Sequence, residues 1–195
     1  MSTRDRVFDA ARALFDAEGV EGLSMRKVAA AVGLTPMALY RHFADKDALV
    51  DALTEDGLAA WDRRLAAALV GDAEPMWMVE TGLNAFIDFA LDEPRRFEAA
   101  FILPARSARK FPEDFAQRRS APVNRLLDAI EAARGKGLAA DASALEVMMT
   151  VWGLGQGLIS LYRAGRFSSE AGFRDFAARA IKRCLTSFAT PEPTP

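Results

Sequence analysis

The feature that most narrows the folds open to this chain is a pair of helix starts placed on either side of one glycine. Ser24 is a good N-cap, and Val28, Ala29 and Val32 recur behind it at helical spacing, which predicts a helix from about Met25 to Val32. Gly33 ends it. Thr35 caps a second helix, with Pro36 at its first position, where the missing N–H costs nothing and the fixed φ is already helical. Leu39 and Phe43 share one face and point to a core. Thr35, Met37, Ala38, Tyr40, Arg41 and His42 are left for the other faces, the set a recognition helix offers to a major groove.

The same capping logic carries through the chain. A first helix from about Arg4 to Glu18 sets Val7, Ala10, Ala11, Leu14 and Phe15 on one stripe, with Gly19 as its stop. Asp45 caps a fourth helix that continues through Leu49, Leu53, Leu58 and Trp61 to about Leu69, before a break at Gly71 and Asp72. That helix is long enough to serve two cores. Pro75 and Pro94 open two more, the second holding Phe97, Phe101 and Ile102. Pro104 to Pro112 reads as a polar, basic connection, with Arg106, Arg109 and Lys110 in a solvated loop. A helix from Glu113 to about Arg134 is expected to be kinked or split at Pro122 and ended by Gly135 and Gly137. Ser143 with Glu146 forms a capping box ahead of a strongly apolar helix through Met148, Val151, Trp152, Leu154, Leu158 and Leu161. The last helix, about Glu170 to Phe188, is expected to bury Phe173, Phe176, Ala177, Ala180, Ile181, Cys184 and Leu185. No strand alternation and no repeat interrupts this pattern.

Composition excludes several classes. Of 195 residues 51% are apolar, enough for a sizeable core, and no stretch is expected to cross a bilayer. The amphipathic start around Arg4, Asp5 and Arg6 is unlike a secretory signal, so the expected location is cytoplasmic. One histidine and one cysteine, Cys184, leave no basis for a zinc site or a nucleophile–histidine pair, so no catalytic residue, metal or cofactor is expected. Ser24 to Lys27 matches a Ser-x-x-Lys pattern, but the companion motifs are missing and Ser24 already has work as a cap. The net charge of −2 runs against phosphate binding, yet from Ser24 to Lys46 the bases are Arg26, Lys27, Arg41 and Lys46 and the only acid is Asp45.

The N-terminal residues resemble the TetR family of transcriptional regulators. The likeness is carried by Phe15 and Gly19, the run Gly22-Leu23-Ser24-Met25-Arg26-Lys27-Val28-Ala29, Gly33, Leu39-Tyr40-Arg41-His42-Phe43, Lys46 and Leu49. By that resemblance Arg26 and Lys46 contact phosphate or base edges, Tyr40 and His42 contact phosphates, and Thr35, Met37, Ala38 and Arg41 face bases or backbone. The C-terminal part is similar, more weakly, to ligand domains with a Trp-x-x-x-His-Gly signature. Here Trp152 is followed by Gly153-Leu154-Gly155-Gln156-Gly157, with Gln156 where histidine is usual. The resemblance implies a homodimer, a palindromic operator in double-stranded DNA and release by a small-molecule effector.

The expected fold is therefore all-α. Residues 1–62 form a three-helix bundle with the helix-turn-helix, and a long helix joins it to a ligand-binding and dimerisation domain at 63–189. The tail 190–195 is expected to be disordered. The expected wall of an apolar ligand pocket is Trp77, Phe86, Phe89, Phe97, Phe101, Met148, Trp152 and Gln156. Gly153 and Gly157 make a flat strip on one helix face, better suited to packing than to a phosphate loop, since no strand precedes them. The last two helices have the apolar content to form a four-helix interface with a second copy. The alternative is a helical small-molecule-binding protein or enzyme that retains a helix-turn-helix, for which the chain lacks a catalytic constellation.

Overall fold

The computed structural model describes residues 1–70, 74–134 and 142–188, and among these all regular structure is helical. The helices are α1 (Thr3–Gly22), α2 (Met25–Ala31), α3 (Pro36–Tyr40), α4 (Lys46–Ala68), α5 (Pro75–Asp92), α6 (Pro94–Phe101), α7 (Glu113–Ala116), α8 (Ala121–Arg134), α9 (Ala144–Arg163) and α10 (Glu170–Ser187). The expected breaks at Gly71–Asp72 and at Gly135 and Gly137, and the tail 190–195, lie outside the described residues.

Two compact units are present, Met1–Ala60 with Glu93–Ala108, and Trp61–Asp92 with Arg109–Pro195. The first returns to a segment that the sequence reading had given to the second domain. In this unit Val7, Phe15, Leu23, Val28, Leu39, Leu49 and Leu53 form one buried cluster, and Ala99 of α6 joins it, with Leu103 and Ala105 packed alongside. Two contacts explain why α6 belongs here. The buried Thr54 hydroxyl donates to the Ala99 carbonyl at 3.0 Å, and Gly57 lies so close to α6 that a Cβ there would fall 2.6 Å from the Arg96 carbonyl oxygen. α1 starts on a capping box of Ser2 and Asp5 and runs beyond the expected end. Gly19 breaks the helical geometry with φ 71°, and a further turn carries on to Gly22.

In the second unit α5 packs against α8, α9 and α10, and α9 against α8 and α10. Trp61 meets Phe86 edge-on at 5.5 Å and Phe89 at 5.8 Å, and Val79, Ile130, Val151, Ile159, Phe173 and Ile181 are buried in the same unit. On the rim, Arg174 of α10 pairs with Asp88 and Asp92 of α5, and Arg64 pairs with Asp92 at 2.5 Å. Pro122 sits in the first turn of α8, where it is tolerated, so the split expected from it falls ahead of Ala121.

Two expectations need correction. Phe176 was expected on the buried side of α10 but is 43% exposed, because Phe173, Ala177, Ile181 and Leu185 define the inward stripe and Phe176 lies off its edge. Leu161, at the end of α9, is also exposed. And α9 is, by length and composition, apolar enough to cross a membrane. Its Val147, Met148, Val151, Gly155, Leu158 and Ile159 are buried within the second unit.

Candidate nucleic-acid interface

Local hydrogen bonds build the pair α2 and α3 where the sequence places them. The Ser24 hydroxyl accepts from the Lys27 N–H at 3.2 Å, and the Thr35 hydroxyl accepts from the Ala38 N–H at 3.2 Å. Between them Gly33 adopts φ 69°, a left-handed turn that a side chain would strain, and the Leu34 N–H reaches back to the Ala29 carbonyl at 2.9 Å. α3 ends at Tyr40, short of Arg41 and His42 in the outward set. The Phe43 N–H still bonds to the Leu39 carbonyl at 3.1 Å, so the side chains through Phe43 keep the helical arrangement.

Leu39 is fully buried and Phe43 nearly so, which fixes the rotation of α3 about its axis. Thr35, Met37, Tyr40 and Arg41 consequently point to solvent, Met37 being 73% exposed, while Ala38 and His42 are half-buried. Arg26 is exposed on α2. Among the described residues neither the Arg26 nor the Arg41 side chain has a hydrogen bond or an ion pair. Two unpaired guanidiniums beside an exposed tyrosine, threonine and methionine offer five-donor forks and apolar contact to a groove at no cost of breaking internal bonds.

Lys46 is placed differently. Its ammonium donates to the Val20 carbonyl at 2.7 Å, which ties the start of α4 to the end of α1 and leaves two N–H donors for another partner. Lys27 is spoken for by Glu18 at 2.5 Å.

Residues that the sequence reading passed over hold this surface in place. Arg4 donates to the His42 carbonyl at 2.6 Å and lies 4.3 Å from the centre of the Phe43 ring. Arg6 donates to the Val32 carbonyl at 3.2 Å. Both arginines therefore satisfy carbonyls at the C-terminal ends of α3 and α2, where intrahelical donors run out. Arg4 has no acid three or four positions on, and Asp9, three positions after Arg6, pairs with Arg12 instead. Asp45 caps α4 through the Ala48 N–H at 2.8 Å. That bond and the Arg106 guanidinium beside it hold the carboxyl below its ordinary value.

The expected pocket wall is only partly assembled in the second unit. Phe86, Phe89 and Met148 are buried there, and Trp152 and Gln156 are half-buried on α9. Trp77 is 47% exposed in the first turn of α5, and Phe97 and Phe101 belong with α6 to the first unit. The second unit carries a cleft of about 230 Å³ lined by Phe115, Leu127, Leu145, Arg118, Asp128 and Glu131. Phe115 also meets the Trp152 ring at 5.9 Å. Its role was not legible because α7, which carries it, is a single turn with no periodicity to read. No group of three or more metal-ligating side chains occurs among the described residues.

Comparison with known proteins agrees with this architecture. Residues 7–53 match the model for bacterial regulatory proteins of the tetR family, and residues 79–184 match the tetracyclin repressor-like C-terminal domain. The chain is 51% identical over 53 residues to the HTH-type transcriptional repressor DrrR1 of Streptomyces coeruleorubidus, a match covering 27% of this chain and 20% of that protein. Among solved structures, a protein of unknown function from Rhodococcus sp. RHA1 shares 20% identity over 97% of both chains with a TM-score of 0.78. A tetR-family bacterial regulatory protein from Rhodococcus RHA1 shares 22% identity over 98% of this chain and 100% of that one, with a TM-score of 0.69. At those identities the two structures show the fold.

Proposed function

Because the chain belongs to the tetR family of bacterial regulatory proteins, we propose that it is a ligand-responsive repressor that binds a palindromic operator as a homodimer. A small apolar molecule in the C-terminal unit releases it. The observation that carries the DNA-binding part is the outward presentation of Thr35, Met37, Tyr40 and Arg41 from a helix whose rotation Leu39 and Phe43 fix. Arg41 reads a base edge, donating two bonds to guanine O6 and N7. Tyr40, His42, Arg26 and the spare donors of Lys46 hold the phosphate backbone, and Thr35, Met37 and Ala38 fill the groove.

The dimer reading rests on α9 and α10. Gly153 and Gly157 are exposed, with nothing within 4 Å of where a Cβ would stand, and Leu161 and Phe176 expose apolar surface on the same two helices. A two-fold axis through that face sets two α3 helices against half-sites about one helical turn, roughly 34 Å, or a multiple of it apart. The cleft beside Phe115, Leu127 and Leu145 has an apolar floor suited to an apolar effector. Control passes along α4, whose residues are shared between the units, as a population shift between two spacings of the reading heads, the effector favouring the spacing that does not fit the operator.

Selection of bound duplexes from a random pool at moderate salt tests the reading. A recovered palindrome supports class, dimerisation and spacing together. Absence of any enriched sequence overturns it.

A further inference from the structure

The connection after α6 does more than close a loop. Arg106 grips two carboxylates at once, that of Asp45 just ahead of α4 and that of Asp51 within it: its backbone N–H donates to Asp51 Oδ1 at 2.8 Å and its Nε to Asp51 Oδ2 at 3.2 Å. Its Nη2 donates to Asp45 Oδ1 at 2.9 Å and its Nη1 to Asp45 Oδ2 at 3.3 Å. The Ser107 N–H adds a further bond to Asp51 Oδ1 at 3.3 Å. This is a fork-on-carboxylate arrangement at Asp45, held in register by backbone bonds to Asp51.

The place of these acids matters. Asp45 is the only acid between Ser24 and Lys46 and stands three residues after His42, so no more than about 11 Å of extended chain separates them. Asp51 lies about 9 Å further along the α4 axis. A carboxylate at about 10 Å from a phosphate is within the screening length at low salt and weakens binding about twofold for each phosphate it sees. Asp45 is nevertheless needed, because it caps α4 through the Ala48 N–H. The reading surface thus carries a structural acid next to the site where phosphates are to be held.

We propose that Arg106 is an electrostatic mask for this surface: a cation delivered from outside the helix-turn-helix that offsets Asp45 and Asp51 and so sets the affinity for the DNA backbone. The proposal rests on the DNA-binding reading above and assigns part of that affinity to a residue after α6. Arg106 acts through the two carboxylates and is a positioning residue, with no direct contact to DNA required. The sequence pattern hides it, since its partners lie far away in the chain.

Anisotropy of a labelled duplex of arbitrary sequence, about 30 base pairs long, titrated with the full chain from about 50 to 300 mM KCl, measures the mask directly. R106Q is expected to bind about three- to tenfold more weakly at the lowest salt, with the difference closing as salt rises. R106K keeps the charge without the fork and is expected to stay within about twofold of the unaltered chain. R106Q/D51N, which removes one of the two bared charges, is expected to recover part of the loss, although it cannot rebuild the grip. Binding of R106Q equal to that of the unaltered chain overturns the mask. So does a fall of R106K as deep as that of R106Q, or a failure of D51N to restore binding, since either marks a purely mechanical clamp. If the unaltered chain binds no duplex even at the lowest salt, the regulator reading itself falls, a result distinct from loss of the mask alone.

Discussion

Replacing Gly153 and Gly157 by alanine separates a solvent face from a hidden interface by the sign of the result. In the single chain a Cβ at either position meets nothing within 4 Å, so neither substitution is opposed by a neighbour. Alanine in a helix interior is favoured over glycine by about 1 kcal/mol, so each change should stabilise α9 by up to that amount and the pair by about 1 to 2 kcal/mol. Against a second copy the reckoning reverses. An isologous interface repeats every substitution, and an unwelcome methyl in a close helix contact costs about 1 to 3 kcal/mol. A loss of only about 2 kcal/mol in association raises the dissociation constant about 30-fold. Sedimentation equilibrium over a wide concentration range, with thermal melts at the same concentrations, reads both effects. Gly155→Ala is the control, because its Cβ would rest at an ordinary 3.5 Å from the Phe86 ring inside the unit. The expected outcome for the double variant is weaker association, with a melting temperature that loses its dependence on concentration as the dimer dissociates. A double variant that melts higher and associates as tightly as before would refute the placement of this face at the dimer axis.

Arg41→Ala is expected to relax base preference at one operator position, losing about 1 to 3 kcal/mol of discrimination in competition binding, while affinity for arbitrary duplex changes far less. Gly57→Ala is expected to destabilise the first unit despite its better helix propensity, since the new methyl would stand 2.6 Å from the Arg96 carbonyl oxygen and 3.1 Å from the Ala100 nitrogen, both backbone atoms. A net loss of about 1 kcal/mol in urea unfolding is expected, and a gain would show that α6 slides away freely. Acid should unfold the chain progressively. The Ala48 N–H and Arg106 hold Asp45 below its ordinary 3.8, Arg64 and Arg174 do the same for Asp92, and the Ser143 backbone N–H and hydroxyl hold Glu146 below 4.5. Between the folded and unfolded values the unfolded chain binds more protons, so this stability is complete above the ordinary carboxyl range and is lost as pH falls through the lowered values. Urea midpoints that stay level from about pH 6 to pH 3 would contradict it.

Residues that act within one helical turn are legible in the sequence alone. Ser24 with Lys27, Thr35 with Ala38 and Ser143 with Glu146 are bonds between positions three apart, so the spacing along the chain is itself the geometry. For the same reason Leu39 and Phe43 marked the inner face of α3 and, by elimination, its outer one. The aromatic wall was read less well, because hydrophobic residues declare that they are buried without declaring in which unit, and Phe97 and Phe101 went to the first.

The amino-acid sequence by itself determined the helices of the described residues, their caps, the turns at Gly19 and Gly33, and the side chains that α3 turns outward, since all of these follow from contacts a few residues apart. Only the tertiary structure decided that α6 returns to the N-terminal unit, that Phe176 stays exposed, and that Arg4 and Arg106 bond to His42 and Asp45 just beyond the end of α3. Those outcomes depend on partners such as His42, Asp45 and Asp51, which lie dozens of positions away from the arginines that reach them. Periodicity carries no information at that range, and packing alone brings them together.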